Sequence, residues 1–144
     1  KESSAASDVY KRQVLWGDLD ALNHVNHTVF LRWMETARMV YFERCGMMEM
    51  MDSNQIGPIL ASLRADYSVP VHFPDTITAH ATMSRLGNSS FEMDYRITSK
   101  ANNGTVVATG SVTGVLCDYN EGKSVLIPNE LRNRILQTEA TNSS

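Results

Sequence analysis

No apolar run in this chain approaches the ~20 residues that a helix needs to cross a bilayer, so no membrane partner is expected. Charge of one sign is also missing. Thirteen Lys and Arg stand against 16 Asp and Glu, for a net charge of −3, with no basic block. A nucleic-acid partner is therefore not expected, because binding phosphates needs a concentrated positive field. Cysteine is scarce: Cys45 and Cys117 have no framework spacing. They read as free thiols in a reducing compartment. The opening KESSAASD lacks the charged-then-apolar layout of a secretory signal, and a cytoplasmic location is the expectation. No internal repeat or linker is visible. The 144 residues, 42% of them apolar, suit one folded domain over 1–144, with loose ends at 1–8 and 138–144.

Periodicity supplies the elements. Val9 to Trp16 reads as a strand, and Gly17 as a turn. Phe30, Trp33, Met34, Ala37, Tyr41 and Cys45 recur at three- and four-residue steps. That is helical spacing, with Asn23 or Asn26 as N-cap and Gly46 as the stop. The polar remainder of this helix falls to Arg32, Glu35, Arg38, Glu43 and Arg44, with Glu35 and Arg38 spaced for an ordinary ion pair. MMEMMDSNQ fits a short second helix, its methionines packing into irregular gaps and able to form an adaptable wall beside an acyl tunnel. Ile59 to Phe73 reads as a strand interrupted at Pro70 and Pro74. Residues 75–86 alternate Ile77, Ala79, Ala81 and Met83 against Thr and His, and Phe91, Met93, Tyr95 and Ile97 continue the pattern after Gly87-Asn88. Asn102-Asn103-Gly104 is a second hairpin turn. Thr105 to Tyr119 is a third long strand, in which Gly110 and Gly114 mark either bulges or a close approach. Residues 128–137 read as a short amphipathic helix. One long helix followed by antiparallel strands is an α+β pattern. A helix this apolar is best buried by an antiparallel sheet wrapped around it.

The chain is organised around WGDLDALNHVNHTVFLRWMETARMVYFERCG, residues 16–46. A polar loop with two carboxylates, an imidazole and amides passes directly into the apolar helix. Ionisable groups thus stand where the helix's first N–H groups lack partners and favour negative charge. A reaction that builds an oxyanion gains from that place. Asp20 beside the helix start makes a base or nucleophile next to an oxyanion site. Asp18 is the carboxylate expected to bond loop amides. Asp18, Asp20 and His24 have the chemistry of a metal set as well.

Asp18-Leu-Asp20, then His24-Val-Asn26, then Glu35-Thr-Ala-Arg38 together resemble hotdog-fold acyl-CoA thioesterases of the 4-hydroxybenzoyl-CoA thioesterase type, except that His27 stands where the family has a second Asn. The resemblance implies a hotdog fold, a homodimer or homotetramer, no cofactor and no metal. It places the catalytic carboxylate at Asp20 and the amide that binds the carbonyl oxygen at the N–H of His27. It leaves Asn26 beside it as the cap at the substrate-binding end of the helix. Plant acyl-carrier-protein thioesterases share the DLD and HVN segments and use the same Asp with a His four residues on, here His24. Their Asn position is Leu22 here. Asp20 and His24 are therefore the better-supported catalytic pair.

The reaction implied is hydrolysis of an acyl thioester, with coenzyme A as carrier and acyl-carrier protein as the second choice. Two other classes remain open. R-specific hydratases of this fold space their Asp and His five apart within D-x-N-P-x-H, whereas Asp20 and His24 are four apart and the Asn-Pro is missing. A non-catalytic acyl-thioester binding module would keep the apolar tunnel and dispense with Asp20. Arg64, Arg85, Lys100 and Lys123 are the candidates for CoA phosphates, and Tyr67, His72 and His80 read as structural or surface residues.

Overall fold

A computed structural model describes residues 10–143. The expected loose end at 1–8 lies outside them. The described elements run β1 (Tyr10–Gln13), a 3-10 turn (Trp16–Asp18), α1 (His27–Cys45), α2 (Met47–Asn54), β2 (Ile56–Tyr67), β3 (Thr76–Leu86), β4 (Ser90–Ser99), a second 3-10 turn (Lys100–Asn102), β5 (Thr105–Asp118), β6 (Lys123–Ser124) and α3 (Asn129–Ser143). The strands form one antiparallel sheet in the order β1-β3-β4-β5-β2, with β6 paired to the end of β5. The sheet curls around α1, which is the wrapped-helix architecture of the hotdog fold.

The pattern of burial explains the curl. On α1, Phe30, Trp33, Met34, Ala37, Tyr41, Phe42 and Cys45 are all buried. They meet the inward faces of the strands, Ile77, Ala79, Ala81 and Met83 on β3 and Phe91, Met93, Tyr95 and Ile97 on β4. These are the two alternating sets read from the sequence. Arg38, expected on the polar side, is instead 8% exposed. Its Nη1 donates to the Tyr95 hydroxyl at 2.9 Å, and its Nη2 lies 3.9 Å from Glu35. Burial pushes the Tyr95 phenol up, and the guanidinium beside it pulls it partly back. A planar guanidinium can satisfy a buried phenol and still reach the rim with its other nitrogen.

The ends of α1 follow local rules. Asn26 is the N-cap, its Oδ1 accepting from the N–H and the hydroxyl of Thr28, each at 2.9 Å. Gly46 stops the helix at φ 88°, a left-handed conformation that a Cβ resists. α2 then forms as read. It starts at the far end of α1, a helix about 28 Å long at 1.5 Å per residue over 19 residues. Its methionines therefore stand well away from the loop at Asp20 and do not line a cavity there.

Three element ends differ from the expectation. β1 ends at Gln13, and Trp16 enters a 3-10 turn because Asp18 accepts from the Leu15 N–H at 2.8 Å and folds the chain back. Gly17 lies in that turn without a positive φ. β2 ends at Tyr67, so Val69 and Val71 belong to an irregular linker. The prolines at 70 and 74 donate no ladder bond, and the bonds of Ser68 and Val69 both converge on the Val107 carbonyl. α3 continues past Gln137 to Ser143, so residues 138–143 are helical rather than loose. The reason is an anchor: the Glu139 carboxylate accepts from the Tyr41 hydroxyl and from the Met83 N–H, the latter at 2.8 Å.

The two glycines inside β5 mark close approach, to side chains at both positions and at Gly110 to the Arg64 backbone carbonyl as well. A Cβ at Gly110 would stand 2.8 Å from Met34 Sδ, and one at Gly114 would collide with the Phe91 ring. Phe91 is 2% exposed and has no room to retreat. Gly114→Ala is therefore expected to cost about 1–3 kcal/mol in denaturant unfolding. Gly17→Ala, with nothing within 4 Å, is the control and is expected to stay within about 0.5 kcal/mol.

Candidate active site

The loop before α1 is a small closed hairpin. Leu19 and Val25 form an antiparallel bridge. The Asp20 N–H donates to the His24 carbonyl at 2.9 Å, and the Asn23 N–H donates to the Asp20 carbonyl at 3.0 Å. Asn23 takes φ 65° to complete the turn, which an Asn tolerates better than most residues. It is thus a turn residue and not the N-cap. Asp20 Oδ1 accepts from the Leu22 N–H at 2.8 Å, an Asx turn that fixes the carboxylate's direction. Asp18 is occupied at both ends: Oδ2 takes the Leu15 N–H, and its carbonyl takes the Asn26 N–H at 2.9 Å. It serves the loop, as its position suggested.

This hairpin faces the linker after β2. The Val25 N–H donates to the Val71 carbonyl at 2.8 Å. The His72 Nδ1 lies 3.1 Å from the Asn23 carbonyl. A carbonyl only accepts, so that nitrogen carries the proton and donates. The rings of His24 and His72 meet edge to face with centroids 4.9 Å apart. The Tyr67 hydroxyl donates to the His27 carbonyl across 3.4 Å, a long contact that ties the end of β2 to the start of α1. Burial pushes the Tyr67 phenol up, which keeps it a neutral donor.

Between hairpin and linker lies a cleft of about 410 Å³, with Asp20, His24, His27 and Phe30 on one side and residues 67–71 on the other. Three of the four residues singled out in the sequence thus share one cavity. The fourth, Asn26, sits behind them as the cap. It bonds Thr28, and His27, as the first helical residue, has no carbonyl a turn earlier for its N–H. Asp20 and His24 are joined through backbone rather than through their side chains. Leu22 is 73% exposed and points out of the cleft, so no Asp-Asn-His network forms.

Two residues assigned to structure or surface belong here after all. Tyr67 lines the cleft, and His72 braces His24. They lie more than 40 positions downstream in a stretch broken by prolines, where no periodicity points back to the hairpin. His80 is in β3, away from the cleft. None of the four cations proposed for CoA phosphates lines it. Arg64 pairs with Asp66 at 3.1 Å and Arg85 with Glu92 at 2.9 Å, while Lys100 borders a separate groove beside Phe73. Among the described residues, no three His, Cys, Asp or Glu side chains gather in a set able to hold a metal ion. No helix among them is long and apolar enough to cross a membrane.

The model of the thioesterase-like superfamily matches residues 14–135, and the chain belongs to that family and is a thioester hydrolase. It is 27% identical over 119 residues to the long-chain acyl-CoA thioesterase FadM of Escherichia coli, covering 83% of this chain and 89% of that one. It is 32% identical over 94 residues to a 1,4-dihydroxy-2-naphthoyl-CoA hydrolase of Synechococcus, covering 59% of this chain and 61% of that one. Among solved structures, a thioesterase from Thermus thermophilus, complexed with coenzyme A and Zn, superposes with a TM-score of 0.74 at 31% identity, covering 87% and 95% of the two chains. These matches establish the superfamily without singling out the 4-hydroxybenzoyl-CoA type.

The N-cap is the local feature on which the open amide depends. Asn26→Ala is expected to lower stability by about 1 kcal/mol in denaturant titration, and Asn26→Asp to restore most of it.

Proposed function

We propose that this chain hydrolyses acyl-CoA thioesters to the free acid and CoA, with Asp20 as the reacting carboxylate. The observation that carries the reading is the meeting of Asp20, His24 and the open end of α1 at one cleft. With Oδ1 held by the Leu22 N–H, the other oxygen of Asp20 is left for chemistry. Acting as base, it takes a proton from water while the hydroxide adds to the thioester carbonyl. Acting as nucleophile, it adds to that carbon itself, and water then cleaves the anhydride. On either route the carbonyl oxygen gains negative charge, and the His27 N–H at the positive end of the helix stabilises it. The C–S bond then breaks and the CoA thiolate leaves with its electron pair. Thiolates are good leaving groups, so the site needs no strong acid. His24, braced by His72, orients the loop or the attacking water. Coenzyme A is preferred as carrier because relatives whose names print a substrate act on CoA thioesters.

Asp20→Asn keeps the bond to Leu22 and removes the charge. It is expected to lower thiol release from acyl-CoAs by about 10²–10⁴-fold while the unfolding midpoint holds. Undiminished turnover in that variant would take Asp20 out of the mechanism and leave the hydrolysis to a different base.

We also infer that the active form is a homodimer or homotetramer. β2 is a 12-residue edge strand with Ile59, Leu60, Leu63 and Tyr67 each 40% exposed or more. A long apolar edge left in water invites pairing with another copy. Light scattering at micromolar concentration is expected to give a multiple of the chain mass, and 16.1 kDa would refute the assembly.

A further inference from the structure

The cleft is open at its mouth and shut at its floor. Phe30, one helical turn below His27, is 4% exposed. Its ring centroid lies 5.3 Å from that of Tyr67 and 5.3 Å from that of Trp33, both in edge-to-face arrangements. Below it, Trp33 is 1% exposed and Met34 and Ala37 are fully buried. Met34 is itself pressed against Gly110, where even a Cβ would come within 2.8 Å of its sulfur. A linear chain entering past Asp20 and running down α1 therefore meets an aromatic ring backed by a second ring and then by close-packed core. The Trp33 indole N–H is buried there and has no acceptor among the described residues. The walls are flat or β-branched, formed by the rings of Phe30 and Tyr67 and by Val25, Val69 and Val71.

We propose that Phe30 is the residue that sets acyl specificity, and that the site takes compact acyl groups, short chains or a single aromatic ring, and turns away long chains. The proposal rests on the acyl-CoA hydrolase reading above and names its substrate class. Flat rings find edge-to-face partners at centroid separations of about 4.5–7 Å, and the Phe30 and Tyr67 rings, edge to face with each other, both border the cleft. A long alkyl chain needs a continuous channel, and Phe30 stands across it. In this respect the chain departs from its relative FadM, named for long-chain substrates.

The test compares kcat/KM for butyryl-, hexanoyl-, benzoyl-, phenylacetyl- and palmitoyl-CoA in the parent protein, Phe30→Leu and Phe30→Ala. Circular dichroism confirms that each variant is folded. In the parent protein the compact substrates are expected to exceed palmitoyl-CoA by about tenfold or more. Phe30→Leu should narrow that ratio and Phe30→Ala invert it. A purely structural loss would lower all five substrates together and leave the ratio unmoved, which would overturn the proposal. So would a parent protein that favours palmitoyl-CoA, and in that case the hydrolase reading would stand. Release from none of the five would overturn the acyl-CoA reading instead. The floor is then tested by calorimetry with the non-hydrolysable thioethers benzyl-CoA and hexadecyl-CoA. Tighter binding of the benzyl compound, reversed by Phe30→Ala, supports the floor, and tighter binding of the hexadecyl compound by the parent refutes it.

Discussion

The burial of α1 is the constraint on which everything else depends. Nineteen residues with an apolar face this broad cannot lie on a flat sheet that has water on one side. The sheet must curve, and β3, β4 and β5 supply the inward faces that line the curve. With the apolar face sheathed, the outer side of the helix stays exposed at Arg32, Glu35, Met39, Glu43 and Arg44, and its two ends meet other segments of the chain. At the C-terminal end Gly46 turns the chain into α2. At the N-terminal end the first helical residue, His27, meets the hairpin of residues 19–25. The proposed chemistry falls there, where the helix dipole and ionisable side chains meet a cavity.

Each side of the cleft is held by bonds that cross between distant segments. The hairpin is closed by its own Asx turn and by the Leu19–Val25 bridge, then attached to the linker through Val25 and His72. The end of β2 is tied to α1 through Tyr67. Further along α1, Arg38 joins β4 through Tyr95, and Tyr41 joins α3 through Glu139. Polar contacts at intervals along an otherwise apolar helix set its register in the sheet, since apolar packing alone is tolerant of small slides. A helix held in register keeps its first amide at a constant place relative to Asp20.

Much of this was legible because it depends on neighbours in the chain. The alternation on β3 and β4, the turn at Asn103-Gly104, the N-cap at Asn26 and the stop at Gly46 all follow from local stereochemistry. So does the cluster of Asp20, His24 and His27, since a hairpin of this size cannot scatter its residues. The failures share a cause as well. Val69 and Val71 alternate as a strand would, and the interruption read at Pro70 and Pro74 extends further than expected, with the strand ending at Tyr67. Arg38 reads as polar surface until Tyr95, 57 positions away, gives it a buried partner. The helix after Pro128 reads as ending at Gln137 until Tyr41 and Met83 anchor Glu139.

By itself, then, the amino-acid sequence determined the elements, the wrapped-helix architecture and the residues on the helix side of the cleft. Periodicity, capping and turn chemistry act over a few positions, and the motif spans about thirty. Only the tertiary structure decided the opposite wall, with Tyr67 facing His27, His72 bracing His24, and Phe30 and Trp33 closing the floor. Those contacts join segments 40 or more residues apart or depend on how a side chain packs in depth, and the energy of such packing is set by three-dimensional neighbours that no local pattern encodes.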